Sequence, residues 1–201
     1  MNSLFDFIVE PHGQRYNNEV KVGDKSLIIN TELESYKSVN NIGKVISTPL
    51  AYKTPIKPGD LVLIHHNVFR RFYDIRGNEK NSRAYFKDNM YFVQLDQVYL
   101  YKRDNKWNAF GDRCFIAPLK NNDEINTSLE QSLIGILKYG NSALEALEIS
   151  EGDVVGYTPF GEYDFIVDNK RLYCMKSNDI VIKYERKGNE EEYNPSWAKS
   201  S

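Results

Sequence analysis

Cysteine is nearly missing. Cys114 and Cys174 are the only two among 201 residues, and they form no CxxC pair. That excludes a disulfide framework and a paired-thiolate zinc site, so buried free thiols and a reducing cytoplasm are the expectation. Long apolar runs are missing too: none approaches the roughly 20 residues of a membrane span. The start, Met1-Asn2-Ser3-Leu4-Phe5-Asp6-Phe7, lacks the basic opening and long apolar stretch of a signal peptide. An excess of either charge is absent. Twenty-six basic against 28 acidic residues leave a net charge of −2, which gives neither nucleic acid nor a membrane surface an electrostatic hold. The Gly-rich phosphate loops, the H-E-x-x-H helix and the G-x-S-x-G elbow are all absent. His65 and His66 are adjacent, and neighbours on a strand point to opposite faces. With His12 the only other histidine, they make no zinc site. No catalytic residue, metal or cofactor is expected in this chain.

What the sequence does have is apolar and β-rich. At 41% hydrophobic and 13% aromatic residues it is no disordered chain. Ile56-Lys57-Pro58-Gly59-Asp60-Leu61-Val62-Leu63-Ile64 returns as Ile149-Ser150-Glu151-Gly152-Asp153-Val154-Val155-Gly156-Tyr157. In each, a Gly-Asp pair makes a structural turn, with glycine supplying a positive φ and aspartate bonding backbone amides. The flanks repeat as well. Cys114-Phe115-Ile116-Ala117-Pro118 follows Phe7-Ile8-Val9-Glu10-Pro11, and Gly135-Ile136-Leu137 follows Gly43-Lys44-Val45. Leu172-Tyr173-Cys174-Met175 and Ile180-Val181-Ile182 follow Met90-Tyr91-Phe92-Val93 and Val98-Tyr99-Leu100. The ordered matches imply an all-β chain made by duplication. The domains expected are 1–103, 104–186 and a polar, flexible tail at 187–201, with the joint at Lys102-Arg103-Asp104-Asn105-Lys106. Tyr99 and Tyr101 have no basic stripe beside them and read as sheet packing rather than base stacking.

Between the matched strands, the loops carry the differences. The first is 15 residues longer in the first half, and the excursion after the Gly-Asp strand is 11 residues longer there. Residues 12–42 are polar and poorly periodic, so they read as one long mobile loop. It holds a single apolar island, Leu27-Ile28-Ile29. One reading is a short strand tucked against its own domain. The other is a docking peptide, each residue contributing roughly 1.5–3 kcal/mol on burial and gaining strength by avidity in an oligomer. In the second half, 128–137 and 142–147 have Leu and Glu spacings that suit short helices, and Glu190-Glu191-Glu192 reads as a solvated tail.

Taken in order, these features resemble the co-chaperonins (GroES, the ten-kilodalton chaperonins). Asp112-Arg113-Cys114-Phe115-Ile116-Ala117-Pro118 is similar to the family's first strand, Glu151-Gly152-Asp153-Val154-Val155 to its central strand and Ser177-Asn178-Asp179-Ile180-Val181-Ile182 to its last. The resemblance covers about 4–102 and 111–185. It implies two tandem irregular β-barrels, a ring-like homo-oligomer, and capping of an ATP-bound GroEL-type chaperonin, which itself holds the ATP. Leu27, Ile28 and Ile29 then match the mobile-loop tripeptide that enters the chaperonin's apical domain. Lys25-Ser26 stand where that family usually has a glycine pair. The second half's loop, 119–134, has only an isolated Ile125, so docking falls to the first half. A double-domain form resembles the chloroplast version, and the divergence also suits a viral one acting in a host cytoplasm. The competing reading is an oligomeric assembly protein, for example viral, that reuses the barrel without binding a chaperonin. The GroES-like domain of medium-chain alcohol dehydrogenases is a third comparison, but the nucleotide-binding domain and zinc ligands of those enzymes are missing.

Overall fold

The apolar runs pair into two antiparallel sheets, one in each of two units, Met1–Lys106 and Trp107–Ser201. The computed structural model describes residues 2–16, 19–22, 25–28, 39–121 and 128–200. In the first unit the strands are β1 (Phe7–Pro11), β2 (Glu19–Val22), β3 (Lys25–Ile28), β4 (Ile42–Ser47), β5 (Leu61–Ile64), β6 (Arg71–Tyr73), β7 (Glu79–Asn81), β8 (Tyr85–Lys87), β9 (Met90–Val93), β10 (Val98–Arg103) and β11 (Lys106–Ala109). The second has β12 (Arg113–Lys120), β13 (Glu130–Tyr139), a one-turn helix α1 (Ser142–Glu145), β14 (Val154–Tyr157), β15 (Tyr163–Val167), β16 (Lys170–Lys176) and β17 (Ile180–Tyr184). The chain is all-β.

Six strands run in the same order in both sheets, and the first sheet has β11 added at its edge. The first runs β11-β10-β5-β4-β1-β9-β8 and the second β17-β14-β13-β12-β16-β15. Register agrees across the central pairings, while the β8–β9 edge, shifted between Tyr85 and Lys87, departs from the regular β15–β16 ladder. Pro11 faces Gly43 as Pro118 faces Gly135, and Val9 faces Val45 as Ile116 faces Leu137. Val62 faces Tyr101 as Val155 faces Lys183. Even the irregularities coincide: β1 shifts register between Ile8 and Val9, and β12 between Phe115 and Ile116. Because a one-residue slip would send every buried side chain to the other face, agreement at these pairings marks a duplicated frame.

The Gly-Asp turns hold that frame in the same way twice. Gly59 (φ +94°) donates to the Val45 carbonyl at 2.8 Å, and Gly152 (φ +95°) to that of Leu137 at 2.7 Å. Val45 and Leu137 return bonds to the Asp60 and Asp153 carbonyls, both at 2.9 Å. Each aspartate carboxylate accepts from the amide three residues back, Lys57 or Ser150, at 2.8 Å, and pairs with a cation on the equivalent strands β10 and β17, Arg103 or Lys183. Two-residue hairpins close on Asp-Asn pairs with positive φ, Asp88-Asn89 and Asp168-Asn169, which suits the right-handed strand twist. Phe7, Val9, Val45, Val62 and Leu100 are buried in the first unit. Cys114, Ile116, Leu137, Leu144, Val155 and Met175 form a core cluster in the second. Cys114 and Cys174 are buried free thiols as expected, and burial pushes the Cys114 thiol up to about 12.

Three expectations need correction. Residues 130–139 form strand β13, because pairing with β12 and β14 overrides the Leu/Glu spacing; helix is confined to Ser142–Glu145, where the Asn141 side chain caps the Ala143 and Leu144 amides. The polar joint at 102–106 is a hairpin turn on Asp104-Asn105, and the division between units falls beside it at 106/107, near where the sequence places it. His65 and His66 lie beyond the end of β5, so their rings stack at 4.3 Å instead of pointing apart. Burial first, then the charges of His65 and Arg70, lower His66 to about 4. It is neutral at physiological pH.

The third concerns the tail, which is not loose. Its backbone extends the sheet: Lys120 donates to the Glu191 carbonyl and Tyr193 to that of Pro118, each at 2.8 Å. Glu192 is not merely solvated. It joins Lys138 at 2.7 Å and Lys170 at 3.3 Å, while Glu191 pairs with Lys120 and the Glu190 carboxylate caps the Lys187 and Gly188 amides. Ala198 ends fully buried.

Two predictions follow from this frame. A Cβ on Gly135 would lie 2.3 Å from Ile116 Cγ2 and 2.5 Å from the Ala117 carbonyl oxygen, whereas on the equivalent Gly43 the nearest atom, of Phe69, is 3.2 Å away. Gly135→Ala should therefore lower unfolding stability by about 3 kcal/mol and Gly43→Ala by about 1 kcal/mol, read by denaturant titration. Burial pushes the Glu192 carboxyl up, but the Lys138 hydrogen bond and the two lysine charges outweigh it and hold it below the usual glutamate range. Its contribution is present above the ordinary value of about 4.3 and lost as pH falls through the depressed one. The protection factor of the Tyr193 amide, its exchange rate relative to the intrinsic rate at that pH, should fall on acidification to about pH 3, and already at neutral pH in Glu192→Gln.

Candidate functional site

The long first-half insertion leaves and returns through a closed neck. Asn40 donates from its side chain to the carbonyls of His12 and Gln14, both at 2.8 Å, and its side-chain oxygen accepts from the Ile42 amide at 2.9 Å. Its own amide donates to Arg15 at 3.0 Å, and His12 donates to Ile42 at 2.9 Å. Tyr16 and Val39 bridge as antiparallel partners, and both are buried. An asparagine suits this place because one short side chain both donates and accepts, replacing a rung that the backbone cannot make.

Beyond the neck, β2 and β3 form a hairpin of their own. Val20 faces Leu27 and Glu19 faces Ile28, so two residues of the apolar tripeptide stand in a strand rather than in structureless loop. Ile29, the third, lies outside the described residues. Lys25 and Ser26 are ladder residues paired with Val22 and Lys21, which places them in extended chain rather than at a hinge. In the second unit, Asn121 donates from its amide to the Leu129 carbonyl at 3.0 Å and from its side chain to that of Ser128 at 3.1 Å, closing the shorter loop. Ile125 lies outside the described residues.

A feature that the sequence did not announce joins this neck to the second excursion. Arg15 donates to the carbonyls of Phe69 and Arg70 and, at 2.8 Å, to the Asn81 side chain, and its guanidinium stands over the Tyr91 ring. Next to it, the Tyr16 hydroxyl accepts from the Arg71 amide at 2.6 Å while the Arg71 guanidinium covers its ring at 4.2 Å. The tripeptide loop and the β6–β7 hairpin therefore spring from one platform. Only the position of Arg15-Tyr16 at the loop's start hinted at it, since these contacts span more than fifty residues.

The remaining candidates are structural. Gly59, Asp60, Gly152 and Asp153 form the turns described above. Among the described residues no three His, Cys, Asp or Glu side chains cluster as a metal site, and no helix is long and apolar enough to cross a membrane. Arg171 sits in a polar network with Glu130 (2.8 Å), Asp164 (3.0 Å) and the Tyr173 hydroxyl (2.8 Å), which also donates to Glu130 at 2.7 Å. Burial and that bond push Tyr173 upward, so it stays a protonated donor. The network ties β13, β15 and β16 together. No protein-family model matches the chain, and no curated protein matches it.

Asn40→Ala removes three part-buried side-chain hydrogen bonds, to the His12 and Gln14 carbonyls and from the Ile42 amide. It should cost about 1–3 kcal/mol and speed hydrogen exchange at Ile42 and Asn40 before the rest of the sheet.

Proposed function

We propose that the chain is a tandem co-chaperonin: two GroES-like irregular β-barrels that self-associate into a ring and cap an ATP-bound, GroEL-type chaperonin. The observation that carries this reading is the asymmetry of a duplicated frame. Two units that share the order of six strands differ chiefly in their loops, and among the described residues only the first presents a β-hairpin at this loop, with Leu27 and Ile28 on its second strand beyond the neck. Leu27, Ile28 and Ile29 bind the chaperonin, each contact weak and the ring of contacts strong by effective concentration. The chain performs no chemistry and holds no cofactor; ATP is bound and turned over by the partner. It assists folding by closing the chamber, in the cytoplasm or a host's cytoplasm.

A second reading fits the same duplicated frame: an oligomeric assembly protein that never meets a chaperonin. Co-elution with a GroEL-type ring separates the two. The co-chaperonin reading expects the full chain to co-elute with ATP and not without it, and the triple change Leu27→Ser, Ile28→Ser, Ile29→Ser to reduce that binding at least a hundredfold. Undiminished binding of the triple variant removes the docking assignment. A stable oligomer that ignores the chaperonin in either nucleotide state favours the assembly protein.

A further inference from the structure

The near-balance of charge over the whole chain conceals a local excess. Residues 65–89, between β5 and β9, hold six basic and three acidic side chains, and the rest of the first unit holds ten and nine. The aligned stretch of the second unit, 158–171, holds two and three. Arg71 is matched by Glu79, and Lys80 reaches Asp74 at 3.9 Å, whereas Arg70, Arg76, Arg83 and Lys87 have no ion pair among the described residues. Exposed aromatic rings are interleaved with these cations: Phe72 and Tyr73 on β6, Tyr85 and Phe86 on β8. The Arg70 guanidinium stands over the Phe72 ring and the Lys87 ammonium over that of Phe86, each 5.4 Å from the ring centre. A cation and an exposed flat ring therefore stand together twice in this excursion.

The scaffold beneath them is ordered. Among the described residues the β6–β7 hairpin pairs with no other strand, yet both of its ends are tied. At the base the Ser82 hydroxyl donates to the Val68 carbonyl at 2.5 Å. Arg15 donates there to the Phe69 and Arg70 carbonyls and the Asn81 side chain, and Tyr16 accepts from the Arg71 amide. At the tip the Asp74 carboxylate accepts from the Arg76 and Asn78 amides, both at 2.9 Å. Across the hairpin Phe72 faces Lys80, which puts a second cation on the side of that ring. An isolated two-stranded ribbon is marginal in water, so rings and cations held out on a tied one mark a contact surface.

We propose that the β6–β7 hairpin and β8 form a binding surface for single-stranded nucleic acid. A polynucleotide repeats a flat base and an anionic phosphate, the same pairing of features that Phe72 with Arg70 and Phe86 with Lys87 present. Bases stack on exposed rings whatever their sequence, and phosphates pair with arginine and lysine. A duplex keeps its base faces stacked inside, out of reach of such rings. An anionic membrane suits the tip less: beside Ile75, the one aliphatic side chain of residues 73–79, stand Asp74 and Glu79, which anionic lipid repels. An acidic protein would meet the cations and leave the rings unused. This binding goes beyond chaperonin capping and stands whether or not the Leu27-Ile28-Ile29 loop docks.

Fluorescence anisotropy of a labelled oligothymidylate of about 20 nucleotides, titrated with the full chain, tests it. The expected dissociation constant is about 10⁻⁵ M at about 50 mM salt. With the four unpaired cations on phosphates, log K should fall against log salt with a slope of about −3. Arg76→Glu with Arg83→Glu, both at exposed positions, should weaken binding about tenfold and flatten that slope by about 1.4. Phe72→Ala with Tyr73→Ala should weaken it about tenfold and leave the slope unchanged. Circular dichroism should match the wild type in both; where one variant departs from it, the other decides. Absence of binding up to about 10⁻⁴ M at that salt, or binding that neither variant weakens, overturns the proposal. So does equal or tighter binding of the duplex, or equal competition by polyglutamate, which brings charge without bases. Binding to phosphatidylserine vesicles that both variants abolish, with the oligothymidylate left unbound, overturns it in favour of a membrane.

Discussion

The exchange of hydrogen bonds between the Gly-Asp turn and the strand before it is the constraint on which this protein is built. In each unit one residue, Val45 or Leu137, both accepts from the glycine and donates to the aspartate. That double tie sets where the central strand begins, and the strand's register sets those of its neighbours on either side. Each backbone bond contributes only about 1 kcal/mol net, but shifting the pair would turn the apolar faces of two strands outward together. The glycine's φ near +95° is a conformation that an L side chain rarely adopts, which explains why the turn has the same residue in both copies.

A frame fixed in this way leaves the loops free to differ. Where the second unit closes its first loop with an asparagine and a short return, the first unit inserts a neck and a hairpin. Where the second unit turns through Phe160, the first extends β6–β7. Both insertions of the first unit converge on Arg15 and Tyr16, which bond to backbone from the two directions. Holding two excursions on shared side chains orients both against one rigid sheet, which is what presented contact residues need.

Most of the frame was legible in the sequence because it rests on local signals: glycine before aspartate, β-branched runs, prolines at strand ends. Aligning Gly135 with Gly43 and Pro118 with Pro11 gave the register the structure has. The mistakes have physical causes. The Leu/Glu spacing at 128–137 mimics a helix, but two neighbouring strands offer a full ladder of bonds that a short helix cannot match. The acidic run at 190–192 looks solvated until Lys138 and Lys170, distant in sequence, come beside it. Arg15's reach to Phe69 and Asn81 is a long-range fact with no local signature. The tripeptide's apolar character and isolation were legible in the sequence; the strand pairing of Leu27 and Ile28 came from the structure.

The account's central claim is that recognition is concentrated in one loop of one unit. Hydrogen exchange of the full chain, with and without an ATP-loaded chaperonin ring, tests this most directly. The account predicts new protection at Lys25–Ile28 and around the Asn40 neck, with β12, β13 and β14 unchanged. Protection centred on the second unit, or none with ATP-loaded ring in excess, would contradict it.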